Sequence, residues 1–495
     1  MSNVMGIISY GIGTVIGFLV VGTLVVWFIQ DVTQKKHTVL RNYPVIGRLR
    51  YFFEEMGEYF RQYFFMNDRE EMPFNRATRG WVYRLAKGEG GVIGFGSTNN
   101  TNEPGSILFV NAPYPILEED RLPTPPLAIG EGYCRNPFLA RSIVNIRGMS
   151  FGAISQPAVQ SLSRGAAQAG CWLDTGEGGL SPFHLEGGCD VIMQIGTARY
   201  GIRDAEGNLS PGRARELAAQ VAAFEIKLSQ GAKPGKGGVL PGAKVTEQIA
   251  QIRGIAPHQD SISPNRHRDI ANVDQLLDKV AWIRDLTGRP VGVKTAIGGW
   301  QFINELCEAV NRRGPECAPD FLAIDGGEGG SGAAPQALMD HMALPIAEAL
   351  PRVVDALIES GLRSRIRVAA AGKLVTPARA AWAVCVGADF VNTARGFMFA
   401  LGCIQALRCH QNTCPTGVAT HNKRLQRGLV VEEKYQRVAH YATSMNREID
   451  MIAHSCGLHH AREFRREHVR VVQSAGRSVA LNVLYPYPQS GSKLK

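Results

Sequence analysis

The sequence predicts an α/β fold, a (β/α)8 barrel of the TIM type, and three observations lead there. Between about residues 142 and 396, short β-branched or apolar runs alternate with helical stretches, the pattern of a parallel sheet with helical crossovers. Eight such runs fit into about 250 residues, the usual length of a closed barrel. Each run leads into glycines or charged side chains, and the C-terminal strand ends are where barrels carry their chemistry. A doubly wound open sheet is the other arrangement of the same elements.

In order, the strands are expected at 143–146, 171–174, 190–195, 223–228, 291–296, 321–325, 367–371 and 390–393. Between the fourth and fifth, Asn272 and Gln275 form a capping-box pattern. Val273, Leu276, Leu277, Val280 and Ala281 follow at helical spacing, and Gly288 and Pro290 stop the helix. At the successive strand ends lie Met149, Ser150 and Gly152; Thr175 ahead of Gly176; Gln194; Glu225 with Lys227; and Lys294. Gly330, Ser331 and Gly332 come next, then Gly372 with Lys373, and Ala394 with Arg395. Glycines let backbone N–H groups approach a phosphate or a flat ring, and barrel phosphate sites are commonly built after strands seven and eight. A lysine at a strand end, such as Lys294, suits negative charge on a reduced flavin. Any one of these is simply a tight turn; eight at strand ends describe a site. Residues 327–332 also satisfy G-x-G-x-x-G, but Ala333, Ala334 and Pro335 open a helix poorly and the strand is the sixth, so a dinucleotide fingerprint is rejected.

Ahead of the barrel, residues 4–29 form an uncharged apolar run. As a helix it spans about 39 Å, enough to cross a hydrocarbon core of about 30 Å with some tilt. No lysine or arginine precedes it and no small-residue cleavage site comes after it, which favours a retained transmembrane anchor over a signal peptide. Lys35, Lys36, Arg41, Arg48 and Arg50 stand against Asp31 alone, so the positive-inside rule places the chain beyond residue 30 in the cytoplasm. Residues 48–65 interleave aromatics with glutamate and arginine, as an amphipathic helix on the membrane interface or on the main domain would. Proline-rich stretches at 113–115 and 122–126 suggest extended linker. The expected organisation is an anchor (1–30), a juxtamembrane and linker region (31–142), the barrel (143–396), and a cysteine loop with a C-terminal helical extension (397–495). The net charge of +10 is scattered among acids and leaves no nucleic-acid footprint. Ten cysteines without disulfide-like spacing point to a reducing compartment.

Cys403, Cys409 and Cys414 lie six and then five residues apart, with Pro415 closing the run. Thiolates this close on one loop can wrap an iron–sulfur cluster. Structural zinc usually wants a fourth ligand, available only from His410 or from a distant residue. Three cysteines suit a cluster with one iron fewer than a cube; three separate buried thiols are the plain alternative.

Together these segments resemble the flavin-binding synthase domain of glutamate synthase, most closely its short stand-alone relatives. The resemblance rests on MSFGAIS at 149–155, TGEGG at 175–179, FEIKLSQGAKPGKGGVLPGAKV at 224–245, VGVK at 291–294, GGEGGSGAAP at 326–335 and GCIQALRCHQNTCPTGVAT at 402–420, and covers more than half of the chain. It implies a barrel that binds FMN and a 3Fe-4S cluster on Cys403, Cys409 and Cys414. It further implies that the reduced flavin gives a hydride to the imine of 2-oxoglutarate and ammonia, yielding glutamate. By position Glu225 and Lys294 then sit beside flavin and substrate, with Gln230 and Lys233 in the substrate-side loop. Long family members begin with a glutaminase domain whose nucleophile is an N-terminal cysteine, whereas this chain starts Met1-Ser2. No glutaminase activity of its own is therefore expected, and the nitrogen comes from free ammonium, another amine or a separate glutaminase subunit. Electrons are expected from a partner such as ferredoxin or a second flavoprotein. An amine-transferring flavoenzyme of another kind and a membrane-tethered electron-transfer subunit are the competing expectations.

Overall fold

The computed structural model describes residues 2–488, with the backbone alone for residues 2–10. Eight parallel strands close into a barrel: β1 (Val144–Ile146), β2 (Leu173–Asp174), β3 (Val191–Ile195), β4 (Ala223–Lys227), β5 (Val291–Ala296), β6 (Phe321–Asp325), β7 (Arg367–Ala371) and β8 (Phe390–Thr393). Each pairs with the next, and β8 returns to β1 with Val391 opposite Val144, which excludes an open sheet. All eight expected strands are present, four of them at the expected boundaries. The strands are legible because both faces are covered, so they run apolar or small without strict alternation.

The crossover helices carry the signals expected of them. Asn272 accepts the Gln275 amide at 2.9 Å and starts the helix Val273–Thr287, which ends at Gly288 with φ +71. After β1, Ser155 caps the helix Gln156–Ala169 through the Ala158 amide at 3.4 Å. The long helix Val431–Ser455 packs along it. The two backbones approach so closely that a Cβ on Gly165 would lie 2.5 Å from the Val438 side chain and 2.6 Å from the Tyr435 carbonyl oxygen.

A short antiparallel hairpin, Leu127–Ile129 with Phe138–Ala140, closes the N-terminal end of the barrel. Ile129, Phe138 and Ala140 join Trp172, Ala223, Phe321 and Phe390 in one buried cluster. Trp172 meets Phe390 edge-on at 4.9 Å and Phe138 at 5.9 Å. A second small sheet pairs Ile107–Phe109 with Val469–Ser474, which continues into Arg477–Ala480.

Two compact units result, residues 1–79 and 80–495. Within the stretch expected as linker, Ile129, Phe138 and Ala140 join the barrel core, and the C-terminal extension carries strands as well as helix. The first unit contains the helix Ser2–Thr33, whose stretch Gly11–Thr33 is long and apolar enough to cross a membrane. Arg48 pairs with Asp31 at 2.7 Å and lies over the Trp27 ring at 4.9 Å, which folds the adjoining segment back on this helix. The expected amphipathic helix forms at Gly47–Phe60 and continues as a wider turn over Arg61–Phe65. Phe52, Phe53, Phe64 and Phe65 are exposed on it.

Candidate active site

The C-terminal mouth of the barrel gathers a buried set of ionisable groups. In the sheet register Gln194 of β3 stands opposite Glu225 of β4, and Glu225 stands opposite Gly292 of β5. Glu225 is 2% exposed and Lys294 is 4% exposed. The Gln194 amide nitrogen donates to Glu225 Oε1 at 2.7 Å and to Asp174 Oδ2 at 3.1 Å, so one NH2 group bridges two carboxyls. Burial, then the nearby Asp174 charge, pushes Glu225 up to about 7, against the pull of Lys294 and Arg147. Burial also raises Asp174. Burial, then Arg147 and Lys227, pulls Lys294 down to about 8. A carboxyl that holds its proton near neutrality beside an ammonium ready to release one is suited to moving protons.

One pleat nearer the mouth, Lys227 stands opposite Lys294. Lys227 Nζ donates to Glu177 Oε2 at 2.9 Å and to Gln230 Oε1 at 2.6 Å. Burial raises Glu177, but Lys227 and Lys233 overcome it and hold the carboxylate at about 2. Lys233 is buried, which lowers it, while Glu177 offsets part of that effect. Lys294, by contrast, makes no hydrogen bond or ion pair within the described residues. The buried Asn392 Oδ1 of β8 likewise has no hydrogen-bond partner.

Around this centre the predicted glycine loops fall into two groups. Met149 and Thr175 are buried beside Asp174: the Met149 amide donates to the Asp174 carbonyl at 3.2 Å, and Thr175 Oγ1 accepts the Gln194 amide at 3.1 Å. The loop continues through Ser150 to Gly152, whose amide donates to the Ile154 carbonyl at 3.1 Å. The second group gathers after β6, β7 and β8. Arg395 Nη2 donates to the Glu328 carbonyl at 2.6 Å, and a Cβ on Gly330 would lie 2.9 Å from Arg395 Nε. Lys373, after Gly372, takes a left-handed φ of +49, and burial, then Arg395, lowers its pKa against the pull of Glu328. Ala394 precedes the helix Arg395–Leu401. Ser331 and Gly332 are exposed at the outer edge, and Ser331 Oγ donates to the Ala333 carbonyl at 3.0 Å.

Sequence reasoning did not single out Arg147, Asp174 or Asp325. Asp325 receives the Gly231 amide at 2.8 Å and pairs with Arg147 at 2.8 Å, tying the loop after β4 to the end of β6. Asp174 and Asp325 are the last residues of β2 and β6, so charge at a strand's final position, not only in the loop beyond it, was the signal available. A separate cavity of about 850 Å³, lined by Arg199, Arg203 and Arg253 among others, contains none of the predicted site residues.

Cys403, Cys409 and Cys414 lie on the loop after the helix Arg395–Leu401. Among the described residues no three His, Cys, Asp or Glu side chains converge as ligands of a single metal ion. A tetrahedral ion would need thiols drawn in to about 2.3 Å from one point, whereas a cluster places its own iron and sulfide atoms between them. The loop is tightly folded: Gln405, Leu407 and Asn412 all have positive φ, and the Gln405 amide donates to Cys403 Sγ at 3.4 Å. The buried Lys244 reaches the Cys409 carbonyl at 3.1 Å. Burial, then the Cys414 charge, raises Cys409, with Lys244 opposing them.

Residues 117–459 match the conserved region in glutamate synthase. The chain belongs to the glutamate synthase family. It is 40% identical to the glutamate synthase large subunit-like protein YerD of Bacillus subtilis, over 92% of this chain and 94% of that protein. It is 34% identical to the archaeal glutamate synthase [NADPH] of Methanocaldococcus jannaschii, over 68% of this chain but only 62% of the relative. A solved flavocytochrome b2 with sulfite bound superposes at a TM-score of 0.46 with 13% identity, covering 90% of this chain and 92% of that one. As a glutamate synthase-like oxidoreductase, the chain carries the family's conserved region on the barrel and on the cysteine loop together.

Proposed function

We propose that the chain is a membrane-anchored glutamate synthase that binds FMN at the barrel mouth and a 3Fe-4S cluster on Cys403, Cys409 and Cys414. The observation that carries this reading is the buried Asp174–Gln194–Glu225 chain beside Lys294 at the C-terminal strand ends. The residues fit FMN: an unpartnered ammonium, an unpartnered carbonyl at Asn392, and close-packed glycine loops on both sides of the mouth. Three thiols on one folded loop fit the cluster by donor chemistry. Met149, Ser150, Gly152, Thr175 and Gln194 would hold the cofactor on one side. Gly330, Ser331, Gly332, Gly372, Lys373, Ala394 and Arg395 would hold it on the other, with the last four at the phosphate.

FMN would supply hydride and the cluster its one-electron feed. The net reaction is 2-oxoglutarate plus ammonia, two electrons and two protons giving glutamate and water. Lys294 would place positive charge where negative charge develops, and Lys233 would attract a substrate carboxylate. Glu225 would move the proton, and Gln194 fixes its orientation through the 2.7 Å hydrogen bond. Gln230, held by Lys227, would shape the same pocket. The nitrogen donor would be ammonium, another amine or the product of a separate glutaminase subunit, and the electron donor a ferredoxin or flavoprotein subunit. The apolar helix Gly11–Thr33 would hold the catalytic unit on the cytoplasmic side of the membrane.

The test is anaerobic turnover of detergent-solubilised protein with 2-oxoglutarate, ammonium and dithionite-reduced methyl viologen, with glutamate quantified. Glutamate formation that is lost in Cys409→Ser and in Lys233→Ala supports the reading. No glutamate from protein that holds FMN and iron rejects the substrate, and full activity in Lys233→Ala rejects the assigned pocket.

A further inference from the structure

The loop bearing the cysteines and the loop after β1 are joined by a buried lysine. We propose that Lys244 is a positioning residue that clamps the Cys409 segment to the Met149–Ser155 segment and fixes the path between cluster and cofactor. The inference rests on the FMN and cluster reading above and deepens it.

Lys244 closes the turn Gly242–Lys244 and is 2% exposed. Its Nζ donates to the Ala153 carbonyl at 2.6 Å and to the Cys409 carbonyl at 3.1 Å. Ala153 belongs to the loop proposed to hold the cofactor, and Cys409 is a proposed cluster ligand, so one ammonium spans both. Lysine is almost never fully buried unless paired, and burying a charge without a counter-charge is expensive. Here the described residues provide no carboxylate ion pair. The groups of opposite charge potential that face it are the thiols of Cys409 and Cys414. A buried cation without a carboxylate makes physical sense where thiolates and a cluster bring negative charge.

The same turn holds the cysteine loop a second time, through Asn412 Nδ2 donating to the Ala243 carbonyl at 3.0 Å. Two further hydrogen bonds join the loops without Lys244: the Ser155 amide to the Val418 carbonyl at 2.8 Å, and His421 Nε2 to the Gly152 carbonyl at 2.8 Å. Removal of the ammonium should therefore loosen and re-tune the junction without dissolving it. Outer partners of metal ligands act in this way, by orienting them and setting their potential.

The experiment compares full-chain parent, Lys244→Met and Lys244→Arg, purified anaerobically in detergent. It measures iron and FMN content, the cluster midpoint by EPR-monitored titration, and flavin reduction by stopped flow. Lys244→Met is expected to keep iron and FMN, to move the cluster midpoint to more negative potential, and to slow flavin reduction roughly 10-fold or more. Lys244→Arg should recover most of both. If Lys244→Met loses iron while Lys244→Arg keeps it, the clamp is likewise supported. A Lys244→Met protein with parental midpoint and rate overturns the role of Lys244 and leaves the proposed function standing. Loss of fold in both variants also overturns it, because the lysine would then serve the scaffold alone. A parent without iron overturns the inference and the cluster reading together.

Discussion

Gly148 measures how little space separates the buried groups at the barrel mouth. A Cβ there would lie 3.0 Å from Asp174 Oδ1, Gln194 Nε2 and the Gly176 Cα at once. Gly148→Ala should therefore push Gln194 off one of its two carboxyls. The expected result is a stability loss of about 1–3 kcal/mol, typical of overpacking, and a larger fall in kcat than in substrate binding. Thermal melts and steady-state kinetics together check it. Glu225 gives a pH-dependent prediction. Its folded value of about 7 lies above the ordinary 4.5. Between those two values the folded chain keeps a proton that the unfolded chain releases, so the stability contribution falls as pH rises from about 4.5 to about 7 and levels off above that. Glu225→Gln carries no such dependence. Its thermal midpoint should gain on the parent between about pH 5 and pH 7.5, while the proposed glutamate formation should drop by about 100-fold or more. A midpoint difference that is flat over this range would show that Glu225 is ionised in the folded protein throughout.

At the scale of elements, two contacts separate scaffold from site. Gly165→Ala drives a methyl into Val438 and into the Tyr435 carbonyl, which should cost about 1–3 kcal/mol. Val438→Ala in the same chain should return part of that loss, whereas additive losses in the double variant would mean that the helices do not meet there. Phe138→Ala, at the opposite end of the barrel from the mouth, should cost about 3–5 kcal/mol in denaturant melts while leaving kcat near parental. The eight strands were legible because each is a short run of β-branched or small apolar residues with a glycine or charge at its end. The hairpin at Leu127–Ile129 and Phe138–Ala140 was not, because three-residue strands flanked by prolines carry no periodicity. Its burial depends on Trp172 and Phe390, which are distant in sequence. The candidate site was legible in the same uneven way. Glu225 and Lys294 stand out as charges inside apolar strands, but the bridge through Gln194 to Asp174 depends on the register of three strands, which no local spacing encodes.

For the molecule as a whole, the division at Arg79/Gly80 separates a unit built on an apolar helix from the unit that holds the barrel. If Gly11–Thr33 spans a bilayer as proposed, the full chain should remain in the membrane fraction through an alkaline carbonate wash. A C-terminal tag should be cut by added protease only after the cells are broken; cutting in intact spheroplasts would reverse the proposed orientation. The side chains of Ile129, Phe138, Trp172 and Phe390 that fill the lower end of the barrel have a kinetic consequence. A vessel stoppered at its base has one doorway, so the oxo acid, nitrogen source and product of the proposed reaction would take turns at the same opening. If the chain makes glutamate as proposed, glutamate should accordingly inhibit in competition with 2-oxoglutarate, whereas electrons delivered through a cluster on the cysteine loop would need no turn at the door.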